Sequence, residues 1–118
     1  MKISDIKELL DADVITGEDL LGKHVYSACG SDMMSDVLAF VKDQAVLLTG
    51  LVNPQVIRTA VMMDMVCVVF VRSKMPTEEM IEFAKENSLV LLATSRRMYE
   101  ACGLLYKGGL VGGRIANG

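Results

Sequence analysis

Three short runs in this chain carry residue types that can hold an anion: Gly30-Ser31-Asp32, Thr49-Gly50-Leu51-Val52-Asn53 and Thr94-Ser95-Arg96-Arg97. Each stands where an apolar segment gives way to a helical pattern. A helix start presents backbone N–H groups that lack partners within the helix, and such groups attract negative charge. Ser31, Thr49 and Ser95 would add hydroxyls, Gly50 and Asn53 a tight turn and its cap, and Arg96 a guanidinium. Together they would suit a phosphate, a carboxylate or a nucleotide. Arg96 and Arg97 are expected in the first turn of the last helix, where a cation is disfavoured unless something negative lies close.

Every one of these features also has a plain structural explanation. Gly50 can supply an unusual backbone angle, Asn53 a helix cap, and Arg96-Arg97 a solvated pair. The run LLTGLVNPQ has no phosphate-loop lysine and no second glycine at the spacing of a nucleotide fingerprint. Covalent or acid–base chemistry has less to stand on. His24 is the single histidine, with no second ligand type spaced around it. Cys29 ends an apolar segment, but no base is spaced to activate it. Glu78, Glu79, Glu82 and Glu86 read as one solvated helix face, and the nine methionines as adaptable packing. No catalytic residues, metal ligands or cofactor are therefore expected, and the chain reads as a non-enzyme.

The elements that must position these loops follow from periodicity. Ser4 caps a first helix bearing Ile3, Ile6, Leu9 and Leu10. Residues 12–16 form a strand, Gly17-Glu18-Asp19 a turn, and residues 24–29 a second strand. Asp32 caps a helix with Met34, Val37, Leu38 and Val41 on one face, and Lys42 at its end. Residues 45–48 are an uninterrupted apolar strand, as in sheets covered on both faces. Asn53 and Pro54 start a helix over 54–64, apolar almost all round. Residues 66–71 are the strongest strand, Thr77 caps a helix with Met80, Ile81 and Ala84 inward, and residues 90–93 are another buried strand. A last helix carries Met98, Ala101, Cys102 and Leu105. Apolar strands alternating with helices predict an α/β fold, a mostly parallel sheet flanked by helices in a single compact domain, with one antiparallel edge. The domain spans 1–107, and 108–118 with its five glycines reads as a flexible tail.

Composition sets the outer bounds. Hydrophobic residues make up 52% of the 118 residues, more than a small domain hides easily, which predicts a homodimer. A net charge of −3 without clustered Lys or Arg argues against nucleic acid as a partner. The longest uncharged apolar run is far shorter than the roughly 20 residues of a membrane-spanning helix, so no membrane partner is expected. Three scattered cysteines suit a reducing cytoplasm.

The order of segments resembles a DRTGG domain, a small module found alone or fused to CBS, pyrophosphatase or phosphotransacetylase modules and similar in fold to the N-terminal domain of HPr kinase. The likeness runs through ADVITGEDL, HVYSACGSDMMSDVL, LLTGLVNPQVIRTAVMMDMVCVVFVR and LVLLATSRRMYEACGLL. The signature letters differ. Leu51-Val52-Asn53 stand where the Asp-Arg pair would fall, and Val71-Arg72-Ser73 where Thr-Gly-Gly would end the next strand. The resemblance implies a regulatory or dimerisation module without catalytic chemistry of its own. Two functions are left side by side: a ligand-sensing module at the three loops, and an interaction subunit using the helix after Pro54 to contact a partner protein.

Overall fold

The runs AVLLT, CVVF and VLLA contain no charged residue, and each becomes a strand buried on both faces. The structure, a computed structural model, describes residues 1–40 and 44–111. In order these form α1 (Ile3–Leu10), β1 (Asp13–Thr16), a 3₁₀ turn (Glu18–Leu20), β2 (Ser27–Gly30), α2 (Met34–Phe40), β3 (Ala45–Thr49), α3 (Pro54–Met62), β4 (Cys67–Phe70), α4 (Glu78–Glu86), β5 (Val90–Ala93) and α5 (Met98–Lys107). The strands make one five-stranded sheet in the order β1-β5-β4-β3-β2. β2 to β5 are parallel, while β1 runs antiparallel to β5 at the edge.

Side chains alternate between the two faces of the sheet. Val46, Leu48, Cys67, Val69, Val90 and Leu92 point to one side, where α1 and α5 contribute Ile3, Ile6, Leu10, Ala101 and Leu105. Leu47, Val68, Phe70 and Leu91 point to the other, against Val37, Val56, Ile57, Ala60, Met80 and Ala84 of α2, α3 and α4. The distribution of helices follows from handedness. Successive right-handed crossovers stepping the same way across a sheet lay their helices on the same side. The β2-α2-β3-α3-β4-α4-β5 path does that, and only after β5 does the chain cross to the other face.

Several local expectations are corrected. Lys2 rather than Ser4 is the N-cap of α1, and the Asp5 carboxylate reaches back to accept from the Lys2 N–H at 2.9 Å. β2 starts at Ser27 instead of residue 24: Val25 N–H donates to Met1 O, and Tyr26 N–H to Gln44 O just before β3. Helix α3 is not apolar all round: Val56, Ile57, Thr59 and Ala60 are buried, while Gln55, Arg58 and Met62 are exposed. Val41 and Lys42 lie outside the described residues, as do residues 112–118 of the expected tail. At the start of the expected tail, Leu110 is 5% exposed within the core, and Ala28 N–H donates to Val111 O at 3.0 Å.

Candidate functional site

All four parallel strands end at one edge of the sheet, so the loops after β2, β3, β4 and β5 form a single rim. It spans three strand spacings, roughly 14 Å. The three runs singled out above lie along it. The loop after β4 falls between two of them and brings Arg72, Ser73 and Lys74; the first two stand at the Thr-Gly-Gly position of the DRTGG resemblance, outside the candidate site read from the sequence.

The β3–α3 turn does cradle an anion, and the anion belongs to the chain itself. Thr49 Oγ1 donates to Asp32 Oδ1 at 2.9 Å, and Gly50 N–H donates to the same oxygen at 2.8 Å. Leu51 N–H in turn donates to Thr49 Oγ1 at 3.1 Å. Asp32 was expected to cap α2, but its carboxylate reaches this turn instead. Helix α2 begins after Met33, whose N–H donates to Ser31 Oγ at 3.0 Å. Asn53 is a true N-cap: its Oδ1 accepts from Gln55 N–H at 2.8 Å. Thus Ser31, Thr49, Gly50 and Asn53 sit on the same rim with their groups engaged in internal bonds.

Gly50 is not needed for an unusual backbone angle, since its φ is not among the positive ones. Its missing Cβ leaves room for the Arg72 guanidinium, which lies directly against it. Arg72 and Ser73 are themselves left-handed, with φ of 57° and 58°. This conformation costs an L-residue about 1–2 kcal/mol, which is why paired positive φ angles in a tight turn favour Asn-Gly or Gly-Gly. The strain is held by three bonds: Arg72 N–H to Arg96 O at 2.8 Å, Ser73 N–H to Thr94 O at 2.9 Å, and Lys74 N–H to Val71 O at 3.2 Å.

Those first two bonds lie at the one point where neighbouring parallel strands send their helices to opposite faces, α4 from β4 and α5 from β5. Open α/β sheets form their ligand crevice at such a reversal. Here backbone from the two loops is stitched across it.

Arg96 and Arg97 precede α5 instead of lying in its first turn, and Arg97 is the N-cap residue. The Arg96 guanidinium pairs with Glu100 at 3.2 Å, so the negative group its position called for is on its own helix. Arg72 and Arg97 make no ion pair among the described residues. Thr94 anchors the loop by donating to Leu10 O at 2.7 Å and accepting from Arg96 N–H at 3.2 Å. Ser95 is exposed beside them. Asp11, Ser95, Arg96, Arg97, Tyr99 and Glu100 line a shallow depression of about 690 Å³, with Tyr99 93% exposed at its mouth.

The thiols are placed for packing. Burial raises the pKa of Cys29, with Cys102 and Asp36 adding to the effect, and burial alone raises Cys67 and Cys102. A thiol held protonated is a poor nucleophile. Gly30 shows how closely α5 packs here, since a Cβ would meet Cys102 Sγ at 2.6 Å and Met98 Sδ at 3.2 Å. His24 is exposed and stacks on Tyr26 with ring centroids 6.2 Å apart. Among the described residues no three His, Cys, Asp or Glu side chains are grouped to hold a metal ion. No helix among them is long and apolar enough to cross a membrane.

No protein-family model matches the chain, and no curated protein matches it. Its fold is similar to a crystal structure of the CBS and DRTGG domains of the regulatory region of Clostridium perfringens pyrophosphatase, complexed with its activator, diadenosine tetraphosphate. The TM-score is 0.70 at 17% sequence identity, over 88% of this chain and 45% of that one. The chain thus spans less than half the length of that structure. The likeness extends the resemblance read from the sequence to the three-dimensional fold, a DRTGG-like α/β domain.

Proposed function

We propose that this chain is a non-enzymatic regulatory module of the cytoplasm that senses a small anion, a nucleotide being the first candidate, at the rim of its sheet. The observation that carries the reading is the pair of cations, Arg72 and Arg97, left without ion-pair partners among the described residues on either side of the β4/β5 reversal. Ser95, Arg96 and the exposed Tyr99 ring share a depression with Arg97, while the Arg72 guanidinium lies against Gly50; the set suits a phosphate and a flat base. The fold's likeness to a regulatory region complexed with a dinucleotide polyphosphate supports the same reading. Ser31, Thr49, Gly50 and Asn53 frame the far half of the rim, where a ligand would act on the Asp32 contact. Binding would bias that loop and, through it, a homodimer, for which exposed side chains such as Met33, Met62, Met75 and Tyr106 offer apolar area.

A thermal-shift series with nucleotides, dinucleotide polyphosphates and inorganic anions tests this. At about 100 times Kd a ligand adds roughly 2.7 kcal/mol, near 10 °C for a chain of this size. The shift is expected to shrink strongly in Arg72→Ala and Arg97→Ala. A flat response at millimolar ligand, or a shift untouched by both variants, overturns the reading. Sedimentation of the unliganded protein tests the dimer separately.

A further inference from the structure

Helices α3 and α4 lie side by side on the face away from α1 and α5, with a groove of about 440 Å³ between them. Its floor is apolar, with Ile57 and Met80 buried and Phe83 37% exposed. Its α4 wall carries Glu79, Glu82 and Glu86, three carboxylates at i, i+3 and i+7 that share one face with Phe83. The α3 wall offers Arg58 as its one charged group. Lys85 stands 3.7 Å from Glu82, with both side chains more than half exposed, so that pairing is weak. Glu79 and Glu86 make no ion pair among the described residues.

We propose that this groove docks a basic amphipathic helix of a partner protein. The charge pattern selects the occupant. Like charges spaced three and four apart destabilise α4, and a cationic partner relieves that repulsion, whereas an acidic or neutral one does not. The apolar floor selects the amphipathic form, because the Phe83 ring, still 37% exposed above the buried Ile57 and Met80, needs a bulky side chain to cover it. From Glu79 to Glu86 the acidic wall runs about 10 Å, two turns of a facing helix. Apolar residues at i and i+4 of the partner would enter beside Phe83 while flanking Lys or Arg reach Glu79 and Glu86. Arg58 repels cations from the opposite wall, so the partner's basic edge must lie over α4. Its lining shares no residue with the candidate anion site, although Pro54 adjoins Asn53, and the proposal does not depend on the anion reading.

Fluorescence anisotropy with the full chain tests it. The probe is a fluorescein-labelled, end-capped helix of about 14 residues, with Leu at i and i+4 positions and Lys flanking them. The control helix carries Glu in place of every Lys. Saturable binding of the Lys helix is expected, at least tenfold tighter than the Glu helix and weakening as salt rises. Phe83→Ala and the double change Glu79→Gln with Glu86→Gln are each expected to weaken it about tenfold. Both alter exposed positions, and circular dichroism confirms that the variants fold. Absence of saturable binding at millimolar protein, or equal binding by the double variant, overturns the proposal. So does a parent dimer that Phe83→Ala dissociates, since a second copy would then hold the groove.

Discussion

Replacing Asp32 with alanine removes a single carboxylate, yet it unties two loops. Oδ1 of Asp32 accepts from the Thr49 hydroxyl at 2.9 Å and from Gly50 N–H at 2.8 Å. A hydrogen bond to an ionised acceptor contributes about 1.5–3 kcal/mol when water is excluded. Asp32 is exposed, so water competes and about 1 kcal/mol for each bond is the better figure. Thr49 is fully buried, and its hydroxyl loses its acceptor when Asp32 is truncated. The expected loss is therefore about 2 kcal/mol. With an unfolding entropy near 0.25 kcal/mol per kelvin for 118 residues, Tm falls by about 8 °C. Asp32→Asn keeps one oxygen acceptor without its charge and is expected to lose about half as much. Differential scanning calorimetry at neutral pH gives both values, and a cycle with Thr49→Val isolates the contact, with a coupling of at least about 0.5 kcal/mol. An Asp32→Ala protein melting within about 1 °C of the parent, or a vanishing coupling, would show that the bridge holds nothing together.

The left-handed turn offers a gain where most changes lose: Ser73→Gly is expected to raise stability by about 1 kcal/mol in urea titration, because glycine adopts that φ without strain. Gly30→Ala pushes a methyl into Cys102 Sγ and Met98 Sδ and is expected to lose about 1–3 kcal/mol in the same assay. Gly50→Ala meets only the movable end of Arg72, so its loss stays under about 1 kcal/mol while the guanidinium is displaced. Cys67 has a raised pKa from burial, so above its ordinary value of 9.0 the unfolded chain has lost a proton that the native chain keeps. Stability then falls as pH rises, by up to about 1.4 kcal/mol per unit from this group, and Cys67→Ala is expected to remove that component from the slope between pH 9 and 10.5.

What was legible in the sequence were features that a short window contains. AVLL, CVVF and VLLA announce strands covered on both faces, Asn53-Pro54 announces a helix start, and Thr77 followed by two glutamates announces another. The Asp32 bridge was not legible, because its partners are 17 and 18 residues away and a carboxylate before a helix reads equally well as a cap. The place of Arg72 in the site is not legible for the same reason: only the strand order β5-β4-β3 sets the loop after β4 between the other two loops. Residues 24–26 have strand-like composition, yet Val25 and Tyr26 bond to Met1 and Gln44, partners that no periodicity reveals. Arg96 and Arg97 read as first-turn residues in the sequence, whereas Arg97 is the N-cap, and the loop before it is tied by the Thr94 hydroxyl donating to Leu10 O, 84 residues away.

That last contact bears on how the molecule is built during synthesis. β2 to β5 can assemble in sequence, each strand laid beside the one just made, with only short loops to close. β1 and α1 are made before β2 to β4 but pair with β5 and α5, which are made after them. Closing that separation has a larger entropic cost than any neighbouring crossover. α1 and β1 thus wait, apolar face uncovered, until β5 and α5 have been made.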